Sequence, residues 1–242
     1  GQEDLIGRGK LLRRLIESDQ VPSLILWGPP GVGKTTLARL IAEATDAFFV
    51  ALSAVKSGKA ELMSTVEEAE ERLTAKKQKT ILFVDEIHRW NKAQQDALLP
   101  YVEQGIVTLI GATTENPSFE IIGALLSRSR VFVLKKLSTN EIRQILGRAL
   151  QDKERGLGKL QMPIDDAALD YLAEIAGGDA RMALNTLEIL VSMHDERVRD
   201  EPHPGPLLIG EGNFASLTID HIREALQRTH VVFDRKGEEF YN

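Results

Sequence analysis

The chain has 242 residues, 30 Lys plus Arg against 36 Asp plus Glu, 43% hydrophobic residues and no cysteine. A disulfide scaffold, a Cys-ligated zinc site and a thiol nucleophile are therefore excluded, and the apolar content and length predict a buried core in one large domain or two smaller ones. The net charge of −6 argues against a uniformly basic nucleic-acid coat, and no apolar run has the length of a membrane span or the form of a signal peptide, so a soluble, intracellular protein is expected.

A first helix is predicted over Lys10–Glu17, then short β-type runs alternate with helical stretches. The strands are predicted at Ser23–Trp27, Phe48–Leu52, Thr80–Val84, Ile106–Ile110 and Arg130–Leu134. The helices between them are Gly33–Ala44, Lys59–Lys76 and Ala93–Val102. Such alternation implies right-handed crossovers and a doubly wound, mostly parallel α/β sheet covered on both faces, with its ligand beyond the carboxyl ends of the strands. After Leu137 the strand signal fades. Ser138 followed by Glu141 reads as a helix start, as does Thr218 with Glu224 further on, and Asp165–Ala176 and Asp179–Met193 carry apolar residues at helical spacing. Three Pro and three Gly within 199–216 predict a loop. Charge divides at the same place: residues 1–136 sum to +1 and residues 137–242 to −7. Two domains follow, an α/β domain over 1–136 and a small all-helical domain over 137–242.

Directly after the first predicted strand stands Gly28-Pro29-Pro30-Gly31-Val32-Gly33-Lys34-Thr35, which satisfies G-x-x-x-x-G-K-[ST] and opens a helix. The glycines let backbone N–H groups turn inward around phosphates, and the helix N-terminus adds its dipole. In this motif Lys34 reaches the β and γ phosphates and the Thr35 hydroxyl ligates Mg²⁺, with Thr36 next to it in the same turn. Ile81-Leu82-Phe83-Val84 then leads into Asp85-Glu86. A carboxylate at the end of a buried strand needs a cationic partner, and a Mg²⁺ held by Thr35 would meet Asp85. Glu86 is the candidate to polarise a water for in-line attack on the γ-phosphate. The pair also reads as a cap on the next helix. Together the two motifs predict Mg²⁺-dependent hydrolysis of a nucleoside triphosphate such as ATP.

Further strings carry a resemblance. Gly111-Ala112-Thr113-Thr114-Glu115-Asn116-Pro117-Ser118-Phe119, Ala124-Leu125-Leu126-Ser127-Arg128, Gly178-Asp179-Ala180-Arg181 and Asp234-Arg235-Lys236-Gly237-Glu238-Glu239 with Tyr241-Asn242 resemble the RarA/MgsA family of AAA+ ATPases. Its eukaryotic members are the Werner helicase-interacting proteins. The resemblance implies a P-loop AAA+ domain followed by a helical lid. It implies that Thr114 is the sensor touching the attacking water or γ-phosphate, with Thr113 its rival one residue away. It makes Arg128 the arginine finger of a neighbouring subunit, with Arg130 close by, and Arg181 the second sensor, although Arg181 also reads as a helix-start arginine paired with a carboxylate. Leu5-Ile6-Gly7 resembles the segment that packs on adenine, Ile6 foremost, and also reads as an ordinary buried pair.

The same resemblance implies DNA partners, as forks, ends or gaps, together with replication and single-strand-binding proteins and no membrane. It also implies a homo-oligomer assembled through a further C-terminal helical part, so that the 242 residues look like an excised ATPase core that assembles poorly by itself. A nucleotide-gated scaffold like a clamp-loader subunit, and a RuvB-like motor for branched DNA, are the competing functions. Lesser features are Ser53, in the place of a polar residue that restrains the catalytic Glu in clamp loaders, and the basic loop Lys56-Ser57-Gly58-Lys59. His88 reads as structural for want of a second ligand at metal spacing, and Trp90 fills an apolar slot where the family usually has Phe.

Overall fold

The computed structural model describes residues 2–160, 163–200 and 216–226, and the chain divides into two compact units between Lys136 and Leu137. In the first unit the elements run α1 (Glu3–Ile6), α2 (Leu11–Glu17), β1 (Ser23–Trp27), α3 (Lys34–Ala44), β2 (Phe48–Ser53) and α4 (Lys59–Lys76). They continue with β3 (Thr80–Asp85), a 3-10 turn (Ile87–Arg89), α5 (Lys92–Glu103), β4 (Val107–Thr113), α6 (Pro117–Glu120), α7 (Gly123–Leu126) and β5 (Ser129–Val133).

All five strands are parallel, in the order β2-β3-β4-β1-β5. The inner strands are mostly apolar because both faces are covered. Successive residues feed opposite cores: Leu24, Leu26, Ile81 and Phe83 pack with Leu37 and Ile41 of α3, while Ile25, Leu82 and Val84 pack with Leu62 and Val66 of α4 and Leu98 of α5. The edge strands are less buried. At one edge the Arg72 guanidinium lies 3.8 Å over the Phe48 ring and donates to Thr80 Oγ1 at 2.9 Å. At the other, Val131 and Val133 of β5 are exposed.

Most expected boundaries shift by a residue, because Lys10 and Gly33 are caps rather than helical residues. The larger difference is β4, expected at Ile106–Ile110, which extends through Gly111-Ala112-Thr113. Gly111 is carried there by pairing with β1 and β3 on both sides, and Ala112 and Thr113 by pairing with β1. Gly111 is required on that run, because a Cβ would sit 2.9 Å from Ile25 Cδ1 and 3.0 Å from Ile87 Cδ1.

In the second unit α8 (Thr139–Gln151), α9 (Asp166–Ile175), α10 (Ala180–Asp200) and a helix over 219–226 enclose a core that includes Ile142, Leu146, Leu172, Leu187, Leu190 and Ile222. Ser138 and Glu141 form the expected reciprocal cap: the Ser138 side chain accepts from the Glu141 N–H, and Glu141 Oε2 accepts from the Ser138 N–H at 2.8 Å. Arg143 of α8 pairs with both Asp166 and Asp170 of α9. The helix expected to end at Met193 runs on to Asp200, so it takes in the first residues of the predicted loop at 199–216. The rest of that loop up to 215, and the terminal string at 234–242, lie outside the described residues.

Candidate active site

Parallel strands bring their carboxyl ends to one edge, and the register shows which residues share it. Leu24, Ile110 and Phe83 form one row across β1, β4 and β3. Three residues further along each chain come Trp27, Thr113 and Glu86. The Gly28–Thr35 loop, the Asp85-Glu86 pair and the Thr113-Thr114 pair therefore emerge side by side, with β4 in the middle.

The loop is fastened to that edge. The Gly28 N–H donates to the Thr113 carbonyl at 3.1 Å. A Cβ on Gly28 would lie 2.4 Å from the Leu134 carbonyl oxygen, so only glycine lets the two backbones pass. Gly31 and Gly33 have φ of 68° and 94°, the left-handed geometry that turns the loop into α3. Lys34 begins α3 and is buried; its Nζ donates to the Gly28 carbonyl at 2.7 Å and the Pro29 carbonyl at 2.9 Å. An ammonium held over its own loop is satisfied by carbonyls until an anion enters. Val32 is buried in the core under the loop, Pro30 and Thr36 are exposed, and Thr35 is half-buried on the first turn of α3.

Asp85 ends β3, opposite Ser53 of β2. Glu86 follows with φ 53° and ψ 44°, a left-handed conformation that costs a non-glycine residue about 1–2 kcal/mol. Such strain persists only where neighbours over-determine it. Here Thr114 Oγ1 donates to Glu86 Oε2 at 3.3 Å, and His88 Nε2 lies 3.3 Å from the same oxygen. Among the described residues the Glu86 carboxylate meets these two groups and not the Ser53 hydroxyl, whose residue contributes its carbonyl to Lys56 and Ser57.

Thr113 and Thr114 separate cleanly. Thr113 is fully buried, with its hydroxyl 3.0 Å from His88 Nδ1, whereas Thr114 is half-buried and faces Glu86. Arg128 stands between α7 and β5, donates to the Ala124 carbonyl at 2.9 Å and Ser127 Oγ at 3.1 Å, and is ion-paired with Glu103 at the end of α5. Arg130 is exposed within β5. Leu5 and Ile6 pack against the core shared with Phe49 and Phe132. Their segment is clipped by Gln2, whose Nε2 donates to the Lys135 carbonyl at 2.8 Å. Arg181 is exposed on the first turn of α10 in the second unit, where Asp179 Oδ1 accepts its backbone N–H at 2.8 Å.

Three contributors went unread in the sequence. His88 reads as structural from the sequence, and its contact is with the Glu86 carboxylate two residues before it. Gln95, 1% exposed, donates through Nε2 to the Trp90 and Glu120 carbonyls and accepts the Ile122 N–H, each at 3.0 Å. It ties the turn after Glu86 to the segment bearing Arg128, and its signal was a polar residue three before the buried Leu98. Trp90 is more than an apolar plug: its indole N–H donates to the Ser57 carbonyl at 3.3 Å.

Residues 24–137 match the family model described as ATPase family associated with various cellular activities (AAA), and residues 158–242 match the AAA C-terminal domain. Over all 242 residues the chain is 48% identical to Replication-associated recombination protein A of Haemophilus influenzae and 45% identical to that of Escherichia coli K12. The chain belongs to the AAA ATPases, in the branch of the replication-associated recombination proteins. It covers 51% of each of those relatives, so this AAA chain spans about half their length. It is also 42% identical over 246 residues to ATPase WRNIP1 of Dictyostelium discoideum, covering all of this chain and 28% of that one. The AAA fold is shared with the Thermotoga maritima RuvB Holliday junction branch migration motor, at TM-score 0.69 and 25% identity over 94% of this chain and 69% of that chain. Among the described residues no helix is long and apolar enough to cross a membrane.

Proposed function

We propose that the chain binds ATP with Mg²⁺ in the Gly28–Thr35 loop and hydrolyses it, as the ATPase core of an intracellular replication-associated recombination protein acting on DNA ends, gaps or stalled forks. The observation that carries the reading is the convergence, at one sheet edge, of a buried Lys34 over a glycine-turned loop with a Glu86 carboxylate held through a single oxygen.

The residues fit Mg²⁺. This hard cation binds through one or two protein oxygens and completes its shell with phosphate and water, and the Thr35 hydroxyl with the Asp85 carboxylate supplies such a set. Among the described residues no cluster of three or more His, Asp and Glu forms a closed cage that would select another metal. When bound, the ion neutralises charge on the phosphates. Lys34 exchanges its bonds to the Gly28 and Pro29 carbonyls for phosphate oxygens, and the loop N–H groups donate alongside it. Glu86, with Oε2 occupied by Thr114, presents Oε1 to the attacking water and orients it. Arg128 completes the site of a neighbouring copy as a finger, and Ile6 packs on the adenine. Arg181 is kept as the second sensor on the resemblance alone.

A carboxylate fixed in this manner favours turnover over a scaffold that holds ATP without cleaving it. DNA engagement rests on the similarity to replication-associated recombination proteins, with the exposed Lys56 and Lys59 beyond β2 as the first residues to test. The deciding experiment measures ATP turnover of wild type, Glu86→Gln and Lys34→Ala with no DNA and with single-stranded, duplex and gapped DNA. Glu86→Gln should bind ATP and lose turnover, and Lys34→Ala should lose binding. Turnover by Glu86→Gln at the wild-type rate would refute the reading.

A further inference from the structure

One buried, hydrogen-bonding side chain beside Glu86 has no part in the chemistry above. His88 lies in the 3-10 turn Ile87–Arg89 with its side chain 8% exposed, Nε2 3.3 Å from Glu86 Oε2 and Nδ1 3.0 Å from Thr113 Oγ1. Thr113 Oγ1 accepts the Glu115 N–H at 3.0 Å and lies 3.2 Å from the Glu115 carbonyl. The imidazole thus bridges the carboxylate on the β3 side and the backbone that leaves β4.

Donor counting fixes the Nε2 end of this bridge. An ionised carboxylate only accepts, so the hydrogen between His88 and Glu86 belongs to Nε2. At the other end the Thr113 hydroxyl has two destinations: it donates to Nδ1 of a neutral ring, or turns to the Glu115 carbonyl when Nδ1 also carries hydrogen. Nε2 donates to Oε2 in both arrangements, so the clamp on Oε2 does not depend on ring charge. With Thr114 donating to the same oxygen, the two bonds fix the terminal torsion of a side chain that otherwise turns freely. Among the described residues Oε1 receives no hydrogen bond, which leaves it for water.

We propose that His88 is a positioning residue for Glu86: it and Thr114 hold Oε2 from two sides so that Oε1 faces the attacking water. The proposal rests on Glu86 acting on that water.

Its test compares His88→Ala, His88→Gln, Thr113→Val and Glu86→Gln in steady-state ATPase assays, with melting curves and nucleotide titrations to confirm that each variant folds and binds. His88→Ala should lower kcat about 10- to 100-fold, the scale of a misplaced reacting group, while KM for ATP stays within about twofold. His88→Gln, whose amide offers a donor to Glu86 and an acceptor to Thr113, should recover most of the loss. The His88→Ala/Thr113→Val double variant should be no slower than His88→Ala, because both act through one bridge. Imidazole nitrogen NMR on the nucleotide-free protein supplies a readout independent of turnover: neutral His88 should carry its hydrogen on Nε2. Wild-type kcat in His88→Ala beside an inactive Glu86→Gln would overturn the positioning role and leave Glu86 in place, as would an Nδ1–H tautomer. An active Glu86→Gln would remove the premise instead.

Discussion

Thr114 donates its hydroxyl to Glu86 Oε2, while Thr113, one residue earlier, turns its hydroxyl toward His88 beneath it. Alternation at the end of β4 sends the two side chains to opposite sides, which separates two residues that the sequence left interchangeable. Thr114→Val keeps the shape and removes the donor. Its kcat should fall about 10-fold or more, the typical cost of losing an aligned catalytic contact, with ATP affinity unchanged. Thr113→Val should in addition lower stability by about 1–3 kcal/mol, because it leaves the part-buried Glu115 N–H and His88 without their partner. Equal melting temperatures for the two variants would contradict this division.

Gln95 satisfies three backbone groups at once, the Trp90 and Glu120 carbonyls and the Ile122 N–H. Leu at this place fills similar volume and abandons all three. At about 1–3 kcal/mol for each buried group left unpaired, partly relieved by local movement, Gln95→Leu should cost about 3–5 kcal/mol in urea unfolding. Gln95→Glu keeps an acceptor for Ile122 and turns a carboxylate on two carbonyls, so it should be no better. A loss below about 1 kcal/mol would mean that water reaches those groups.

Trp90→Phe tests the indole bond to Ser57, which holds the Lys56–Lys59 loop against the turn after Glu86. The ring is 3% exposed, so the change removes one hydrogen bond and opens a small cavity, together about 1–2 kcal/mol. The diagnostic is local. Amide exchange in the Lys56–Lys59 loop should accelerate more than exchange in β1, whereas a uniform change would indicate a packing effect alone.

What the sequence displayed and what it hid divide along the range of the interactions. The Gly28–Thr35 loop, the apolar run into Asp85 and the Ser138–Glu141 cap are each written within a few consecutive residues, so spacing was enough to find them. The end of β4 is not legible in the sequence, because Gly111 and Ala112 disfavour strand on their own; β1 holds both there, and β3 holds Gly111. Gln95 and Trp90 act through partners 25 to 33 residues away in sequence, and His88 joins the nearby Glu86 to Thr113, 25 residues on. A polar or aromatic residue on a buried face signals that such a partner exists, but only the fold names it.

Arg128 gives the last prediction, because its present contacts are of a kind that can be exchanged. Its guanidinium is 42% exposed and its partner Glu103 46% exposed, so the pair is screened by water and contributes about 0–1 kcal/mol. Releasing Arg128 to a phosphate on another copy therefore costs the fold little. Specific ATPase activity should rise with protein concentration, since a finger acting in trans needs a neighbour. Arg128→Ala should keep ATP affinity and stability while losing about 10³-fold or more in turnover at concentrations where the wild type is active. Glu103→Gln should leave stability within about 0.5 kcal/mol and raise activity at intermediate concentrations by removing the competing carboxylate. Hydrolysis independent of concentration in the wild type, with Arg128→Ala unaffected, would show that the arginine serves only its local contacts to Ala124, Ser127 and Glu103.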